Sequence, residues 1–387
     1  MTINEREGAA LGGLLFFNGP VHNGGFTFTS RPGKATGIRL AAALNQLLGS
    51  EPVPHLWNTV TLAGDLRHLE HAATAGETVG RAAFEAGLIA AKYGDGRRPA
   101  GGIVTDADPQ VAALALEMIE ARLSTGALSL STERIPHCPG CGHMAGTGAH
   151  PCQVCGNETL LARPRRVLVA ERALDRPALD FNDVHAHHKR APVHLRNIAG
   201  NVPARLILSR TRDHGISLEP LGLPEMVLDP RAGLHIAVLA AARARGAETA
   251  VMVLTQNAAA NVAAYGQPFL RHHGSRLLYG LHGHIPYDHI QDLTTDYQRH
   301  RLPPAVRASF ETWFLPLYSW HAKNHIGASQ LAALLTHFHR ARLTAPERPQ
   351  APAWRDIQQA VEAGSTTWLT RKAGLATAVS IASGTAP

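Results

Sequence analysis

A chain of 387 residues with 45% hydrophobic and 17% charged side chains is long enough for more than one domain, and its balance excludes disorder and fibrous repeats. A formal charge of +7 and a pI near 9.5 would suit an anionic partner such as ATP or RNA, but spread over this length, with no Lys/Arg block, they specify none. The longest apolar stretch, Gly233 to Ala242, is cut by Arg243 and Arg245 well short of a bilayer span, and Met1 to Glu7 is mixed in charge, so a cytoplasmic protein without membrane contact is expected.

Leu11 to Phe17 reads as a short buried strand ending in a turn at Asn18-Gly19-Pro20. A helix is predicted from Thr36 to Leu48, with Ile38, Ala41, Leu44 and Leu48 on one face and Gly49 as its stop; Glu77 to Tyr93 repeats the pattern. Asp108-Pro109 is a helix start, an N-cap followed by proline at the first helical position, and Val111, Leu114, Ala115, Met118 and Ile119 carry the apolar stripe. Strands follow at Arg166 to Ala170, Arg205 to Ser209, Ala250 to Thr255 and Arg276 to Leu281, with a helix at Arg231 to Arg245. This alternation predicts an α/β fold whose parallel sheet is covered by helices and binds ligands at the carboxyl ends of its strands. From Pro303 onward only helices are expected: Val306 to Trp320, Ala328 to Arg342, a proline-rich break from Thr344 to Pro352, and a last helix beginning near Trp354.

All four cysteines lie in one segment, Cys138-Pro-Gly-Cys141 and Cys152-Gln-Val-Cys155. Two such knuckles close a tetrahedron of thiolates around zinc, and the glycines after Cys141 and Cys155 suit tight turns that aim backbone amides at sulfur. The bland alternative is a set of reduced thiols or a disulfide pair. A closed four-sulfur site leaves no open position, so the zinc expected here is structural. His137, His143 and His150 are expected to face solvent, and Asp183-Val-His185-Ala-His187-His188, which lacks ligand spacing, reads as a solvated loop.

Asn18-Gly-Pro-Val-His22-Asn-Gly24-Gly25 after the first strand, the paired knuckles, and then Leu206-Ile-Leu-Ser-Arg210-Thr-Arg-Asp213-His-Gly215-Ile216 resemble the methionyl-tRNA synthetase family of class I aminoacyl-tRNA synthetases, in order over most of residues 8 to 345. The resemblance implies a split Rossmann-like catalytic domain with a zinc-knuckle insertion and a truncated all-helical C-terminal region. It divides the chain into 1–105 and 205–300 as the two catalytic halves, 106–204 as the insertion, and 301–387 as a short helical domain like the start of an anticodon-binding domain. It also implies that Asn18, Pro20, His22, Gly24, Gly25 and Asn257 border an ATP site, and that Leu14, Phe16, Asn58, Thr59, Val227 and Asp229 border the amino acid.

The departures from the family pattern bear on activity. The first signature, His-x-Gly-His, reads His22-Asn23-Gly24-Gly25 and lacks its second histidine. No lysine stands between Lys189 and Lys323, so the Lys-Met-Ser-Lys-Ser loop expected within Ile285 to Thr295 is gone as a chemical device. The aspartate that receives the methionine ammonium falls at Asn58 or Thr59, the pocket tryptophan falls at Val227, and the Gly-Lys-Asp element reads Thr255-Gln256-Asn257; Asp229 retains an acidic position. Losing several groups that act on the transition state should abolish ordinary charging unless others substitute. Arg31 and Lys34, in an insertion after the His22 loop, are candidate substitutes; the alternative is a solvated surface loop, and for His22 a turn histidine. Three functions remain open: a paralogue recruited to specialised metabolism, joining an ATP-activated amino-acid carboxylate to a small acceptor such as an N-hydroxylated amine, with a cupin or other biosynthetic partner and without tRNA; a pseudoenzyme scaffold or regulatory subunit; and an ordinary methionine-tRNA ligase.

Overall fold

The computed structural model describes residues 13–20, 32–57, 100–105, 108–144, 151–152, 155–172, 179–185, 203–211, 215–285, 289–322, 325–344 and 351–382. In chain order the elements are β1 (Leu14–Asn18), α1 (Pro32–Leu47), β2 (His55–Trp57), β3 (Ile103–Thr105), α2 (Pro109–Ser124), β4 (Leu128–His137), β5 (Leu161–Glu171), β6 (Val184–His185), β7 (Arg205–Ile207), β8 (Ser209–Arg210), β9 (Val227–Leu228), α3 (Pro230–Arg243), β10 (Thr249–Thr255), α4 (Gln256–Gly266), β11 (Arg271–His272), β12 (Ser275–His282), α5 (His289–Arg299), α6 (Pro304–Ser309), α7 (Leu315–His321), α8 (Ala328–Thr344), α9 (Ala351–Glu362) and α10 (Lys372–Ala382). The expected helix at Glu77 to Tyr93 lies outside the described residues.

The centre is a parallel sheet in which β1 pairs with β10 and β10 with β12; β6 continues it in parallel at the far end of β12, and β11 turns back on the near end. Both faces are apolar, as parallel strands require when helices cover each side. Leu15 and Phe17, Met252 and Leu254, and Leu277, Tyr279 and Leu281 point to one face, where α2, α3, α4 and the β4–β5 hairpin pack in a single core. Phe16, Val251, Val253 and Leu278 point to the other, against α1 and against Trp313, Leu317, Trp320, Ile357, Val361 and Trp368 of the C-terminal helices. The helical tail thus covers one face of the sheet, besides having its own core around Phe310, Phe314, Leu335 and Phe338.

β1 has its second neighbour supplied by side chains. Asn45 of α1 accepts from the Phe16 amide at 2.9 Å and donates to the Phe16 carbonyl at 2.7 Å, and Asn18 makes the same two-way pair with the Leu56 backbone, at 2.9 Å in each direction. Counting that bridge, the order β3-β2-β1-β10-β12 is the doubly wound arrangement of nucleotide-binding sheets.

Several expectations change. Leu128 to His137 is a ten-residue strand paired antiparallel along its whole length with β5, which starts at Leu161, earlier than expected. α1 starts at Pro32, so Lys34 belongs to its first turn and is not in a loop. Asp108 precedes α2 as expected, but its carboxylate accepts from the Thr105 amide and hydroxyl, both at 3.0 Å, and makes no bond to the helix. The helix expected from Val306 to Trp320 contains a π turn at Phe310–Phe314, immediately ahead of Pro316, which has no N–H to continue the α ladder. α9 begins inside the proline-rich break, with Pro352 in the first turn, where the missing N–H costs nothing. The start of the Asp183 to His188 stretch is structured, not solvated: His185 is buried in β6, bonds the Val361 carbonyl at 2.9 Å and stacks on Trp320, while His187 and His188 lie outside the described residues.

One core histidine ties α3 to the sheet. His235 Nδ1 lies 2.6 Å from the Arg231 carbonyl, which only accepts, so Nδ1 carries the proton and Nε2 accepts from the Tyr279 hydroxyl at 2.9 Å. Burial pushes this imidazole down to about 4. A base whose value is depressed on folding gives stability that is complete above its unfolded value and is lost as pH falls. We therefore expect His235 to remove about 3 kcal/mol between pH ~6.5 and ~4. Urea midpoints of wild type and His235→Leu across that range test this: the leucine variant should show the shallower slope, and identical slopes would refute the assignment.

Candidate functional site

The candidate site lies at the carboxyl ends of β1, β10 and β12, where a doubly wound sheet places its ligand cleft. α1 runs antiparallel to β1. Its last turn lies near Leu14, Asn45 reaches Phe16 mid-strand, and Gly37 in its second turn lies against the end of β12, where a methyl group would sit 3.2 Å from His282 Nε2. The positive pole of the helix therefore faces the strand ends, the placement that favours an anion there. Two glycines permit the close approach. Gly37 leaves room for the buried His282, whose Nδ1 donates to the Gly283 carbonyl at 2.9 Å, and Gly19 donates to the Val253 carbonyl at 2.7 Å, where a Cβ would lie 2.6 Å from the same oxygen. From Asn18 back along α1 to Ser50, between that helix and the segments that lead into β2 and β3, is a cavity of about 510 Å³ whose walls, including Ile38, Ala41, Ala42, Val53 and Pro54, suit an apolar group.

α1 is held in place from the tail side. Arg39 reaches Glu311 in the π turn at 3.7 Å, and Tyr297 donates to the same carboxylate at 3.0 Å. Burial raises the Glu311 carboxyl despite these partners.

The expected site residues divide sharply. His22, Gly24, Gly25, Arg31, Asn58 and Thr59 lie outside the described residues, as do the side chains of Lys34 and Asn257. Pro20 follows β1 at the cleft. Asn18 stands at the cleft as well, but its amide is spent on Leu56 and Gly19 and has become a strand bridge. Phe16 is fully buried on the α1 face, edge-on to His185 and Trp320, and Leu14 begins β1 at the opposite end from the cleft. Val227 is buried in the short β8–β9 pair, opposite Arg210.

Asp229 is buried and doubly paired. It accepts from Arg210 Nε at 3.0 Å and from the backbone, Nε and an Nη of Arg231 at 3.0, 2.9 and 2.9 Å, while Arg231 stacks on Tyr265 with its guanidinium carbon 3.5 Å from the ring centre. Burial alone would raise the carboxyl, but the two guanidinium groups outweigh it and hold it below the usual carboxylate range. With both oxygens engaged, Asp229 caps α3 and fixes β8 to it. Sequence reasoning missed Asn45, Arg231 and His282. Only His282 carried a signal, as the end of an apolar strand run.

The four cysteines converge. Cys138 and Cys155 sulfurs are 3.4 Å apart, those of Cys141 and Cys152 are 3.5 Å apart, and all four lie within 4.8 Å of one another. These separations exclude disulfides and approach the ~3.8 Å edge of a tetrahedron with 2.3 Å metal–sulfur bonds. The two knuckles repeat one geometry: Gly142 donates to Cys138 O and Gly156 to Cys152 O, with φ of 73° and 74° at the two glycines. At Cys138 burial opposes the thiolate, but the Cys141 amide, the Cys155 thiol and the Gly140 amide together outweigh it and lower the thiol; burial pushes Cys141 up to about 12. The donor set, spacing and inward-facing amides fit a zinc knuckle. His137, expected in solvent, is buried and donates from Nδ1 to the Ile135 carbonyl at 2.7 Å, while His143 is half-buried and its Nδ1 lies 3.3 Å from the Cys141 carbonyl.

No family model matches the chain, and no curated protein matches it. Among solved structures it is similar to Mycobacterium tuberculosis methionyl-tRNA synthetase bound by methionyl-adenylate, at 12% identity over 95% of this chain and 82% of that one, with a TM-score of 0.49. A second structure of that enzyme, also in complex with methionyl-adenylate, is similar at 12% identity over 94% and 90%, with a TM-score of 0.41. Among the described residues, no helix is long and apolar enough to cross a membrane.

Proposed function

We propose that the chain is an ATP-dependent ligase on the class I synthetase plan, related to methionyl-tRNA synthetases by the order of its sequence motifs. In this reading a carboxylate oxygen of an amino acid attacks the α-phosphorus of ATP, pyrophosphate leaves, and a small nucleophile then attacks the acyl carbon and releases AMP. A hydroxylamine oxygen is the most concrete acceptor, which would make the product an intermediate towards nitrogen–nitrogen bond formation with a cupin or similar partner; tRNA is not the acceptor. The observation that carries the reading is the α1 amino end set against the carboxyl ends of β10 and β12 through Gly37 and His282. It creates a polar, positively biased wall for a polyphosphate. His22, Gly24 and Gly25 in the preceding loop, with Arg31 and Lys34, are assigned to the phosphates, and the four cysteines to one structural zinc.

The engagement of Asn18 and Asp229 by protein partners favours a second reading, a scaffold that keeps the fold without turnover. Titration with ATP separates the two. The ligase should bind ATP with at worst millimolar affinity, and His22→Ala should weaken binding by about 1–3 kcal/mol, the range for a hydrogen bond to a charged group. Pyrophosphate exchange with a panel of amino acids should be driven by one other than methionine. No measurable ATP affinity would leave the scaffold, and robust methionine-dependent exchange would leave ordinary tRNA charging.

A further inference from the structure

A second cluster of metal-ligating side chains lies on the face away from the α1 cleft side, and the ligase reading makes no use of it. α2 passes the β11–β12 hairpin and sets Glu117 against both histidines of its turn, with Oε1 2.9 Å from His272 Nε2 and 3.1 Å from His273 Nε2. Neighbouring residues of a strand ordinarily point to opposite faces. Here the rings converge to 4.1 Å between centres, because His273 takes a left-handed backbone at φ 43° and is followed by Gly274 at φ 80°. Such a two-residue turn ordinarily takes Asn or Gly at the first of these positions. Arg122, also on α2, holds the register by donating to the carbonyls of Pro268 at 2.8 Å and Arg271 at 2.6 Å.

The three donor atoms lie within 4.8 Å of one another. With metal–ligand bonds of about 2.0–2.1 Å, the two N···O separations correspond to angles of roughly 90–98° at a shared ion, within the range of an open octahedral or distorted tetrahedral centre. Two imidazoles and one carboxylate are a borderline donor set, which takes zinc, cobalt or nickel in preference to calcium or magnesium.

We propose that Glu117, His272 and His273 form a second metal site, taking an exchangeable divalent transition ion of the zinc class that fastens α2 to the β11–β12 hairpin. Glu117 and His273 are 51% and 67% exposed, so water completes the coordination and the ion exchanges with solvent, unlike one held by four thiolates. Arg271 and Arg276 border the adjacent hollow and oppose a cation, which keeps the affinity moderate.

The test is to count bound metal after equilibration with micromolar free zinc. Wild type should hold two equivalents and lose one on dialysis. His273→Gly, which suits the left-handed turn, and Glu117→Gln should each retain the tight equivalent and weaken the other at least about tenfold. Cobalt gives an independent readout: thiolate-bound cobalt shows intense sulfur-to-metal charge transfer, whereas cobalt on nitrogen and oxygen shows only weak visible bands, and the variants should lose the latter alone. A folded wild type that takes up one equivalent, or a second equivalent that survives in both variants, would overturn the site and leave the trio a hydrogen-bonded contact only. Neither outcome bears on ATP binding, so this proposal and the ligase reading fail separately.

Discussion

Cys138→Ser should cost the protein its tightly held zinc and several kcal/mol of stability. A serine oxygen in place of a thiolate removes one of four ligands from a site whose binding free energy is folding free energy, because the tetrahedron of sulfurs exists only in the folded chain. The knuckle carries little apolar packing of its own; its anchor to the core is Met144, buried and donating its amide to Thr211 Oγ1 at 2.7 Å. Loss of metal should therefore melt residues 138 to 157 first, exposing them to protease while the sheet persists, and then lower the thermal midpoint as Met144 leaves the core. Wild type should retain about one zinc per chain after dialysis and Cys138→Ser none. A metal-free preparation with unchanged stability would remove the assignment.

Gly266→Ala should destabilise by about 3–5 kcal/mol, opposite in sign to the ~1 kcal/mol gain that alanine normally gives a helical glycine. The reason is steric. Gly266 closes α4 directly over the His235 ring, and a Cβ there would lie 2.0 Å from Nε2, 2.3 Å from Cδ2 and 2.5 Å from Cε1. The ring cannot retreat without giving up the Arg231 carbonyl and the Tyr279 hydroxyl, both buried. Chemical denaturation of the single variants and of the double variant with His235→Ala measures the coupling. The double variant should cost less than the sum, since the smaller residue at 235 empties the space the new methyl needs. Strict additivity would mean that the clash is relieved elsewhere.

What was legible in the sequence was what is locally encoded. β10 and β12 are continuous apolar runs bounded by turns, and the cysteines carry their ligand geometry in their spacing. β4 was not legible, because the alternation that Leu128 and Leu130 begin is broken by Thr132, Glu133 and Arg134 and is too short to detect. α4 was missed for the opposite reason: the run from Ala258 to Ala264 is too uniformly small to show a stripe. At the site, residue type survived and role did not. Asn18 and Asp229 are polar groups at the right end of the fold, yet their partners Leu56 and Arg210 are fixed by tertiary structure, and those partners, with Arg231 in the helix that Asp229 caps, reveal that the side chains are engaged. The convergence of Glu117 on His272 and His273 is of the same kind.

The pairing of β1 with β10 also constrains how the chain is made. Leu14 lies beside Thr249, so the first strand emerges roughly 235 residues before the strand it must join, an interval of about 12–50 s at ordinary rates of synthesis. During that time Phe16 and Phe17 can meet only α1 and the β2–β3 pair and not their ladder partner β10, whereas the β4–β5 hairpin with its cysteines is local in sequence and can close on metal while the ribosome is still working. The middle of the protein is thus positioned to fold before either end, and the amino-terminal strand is the part most in need of shelter in the nascent chain.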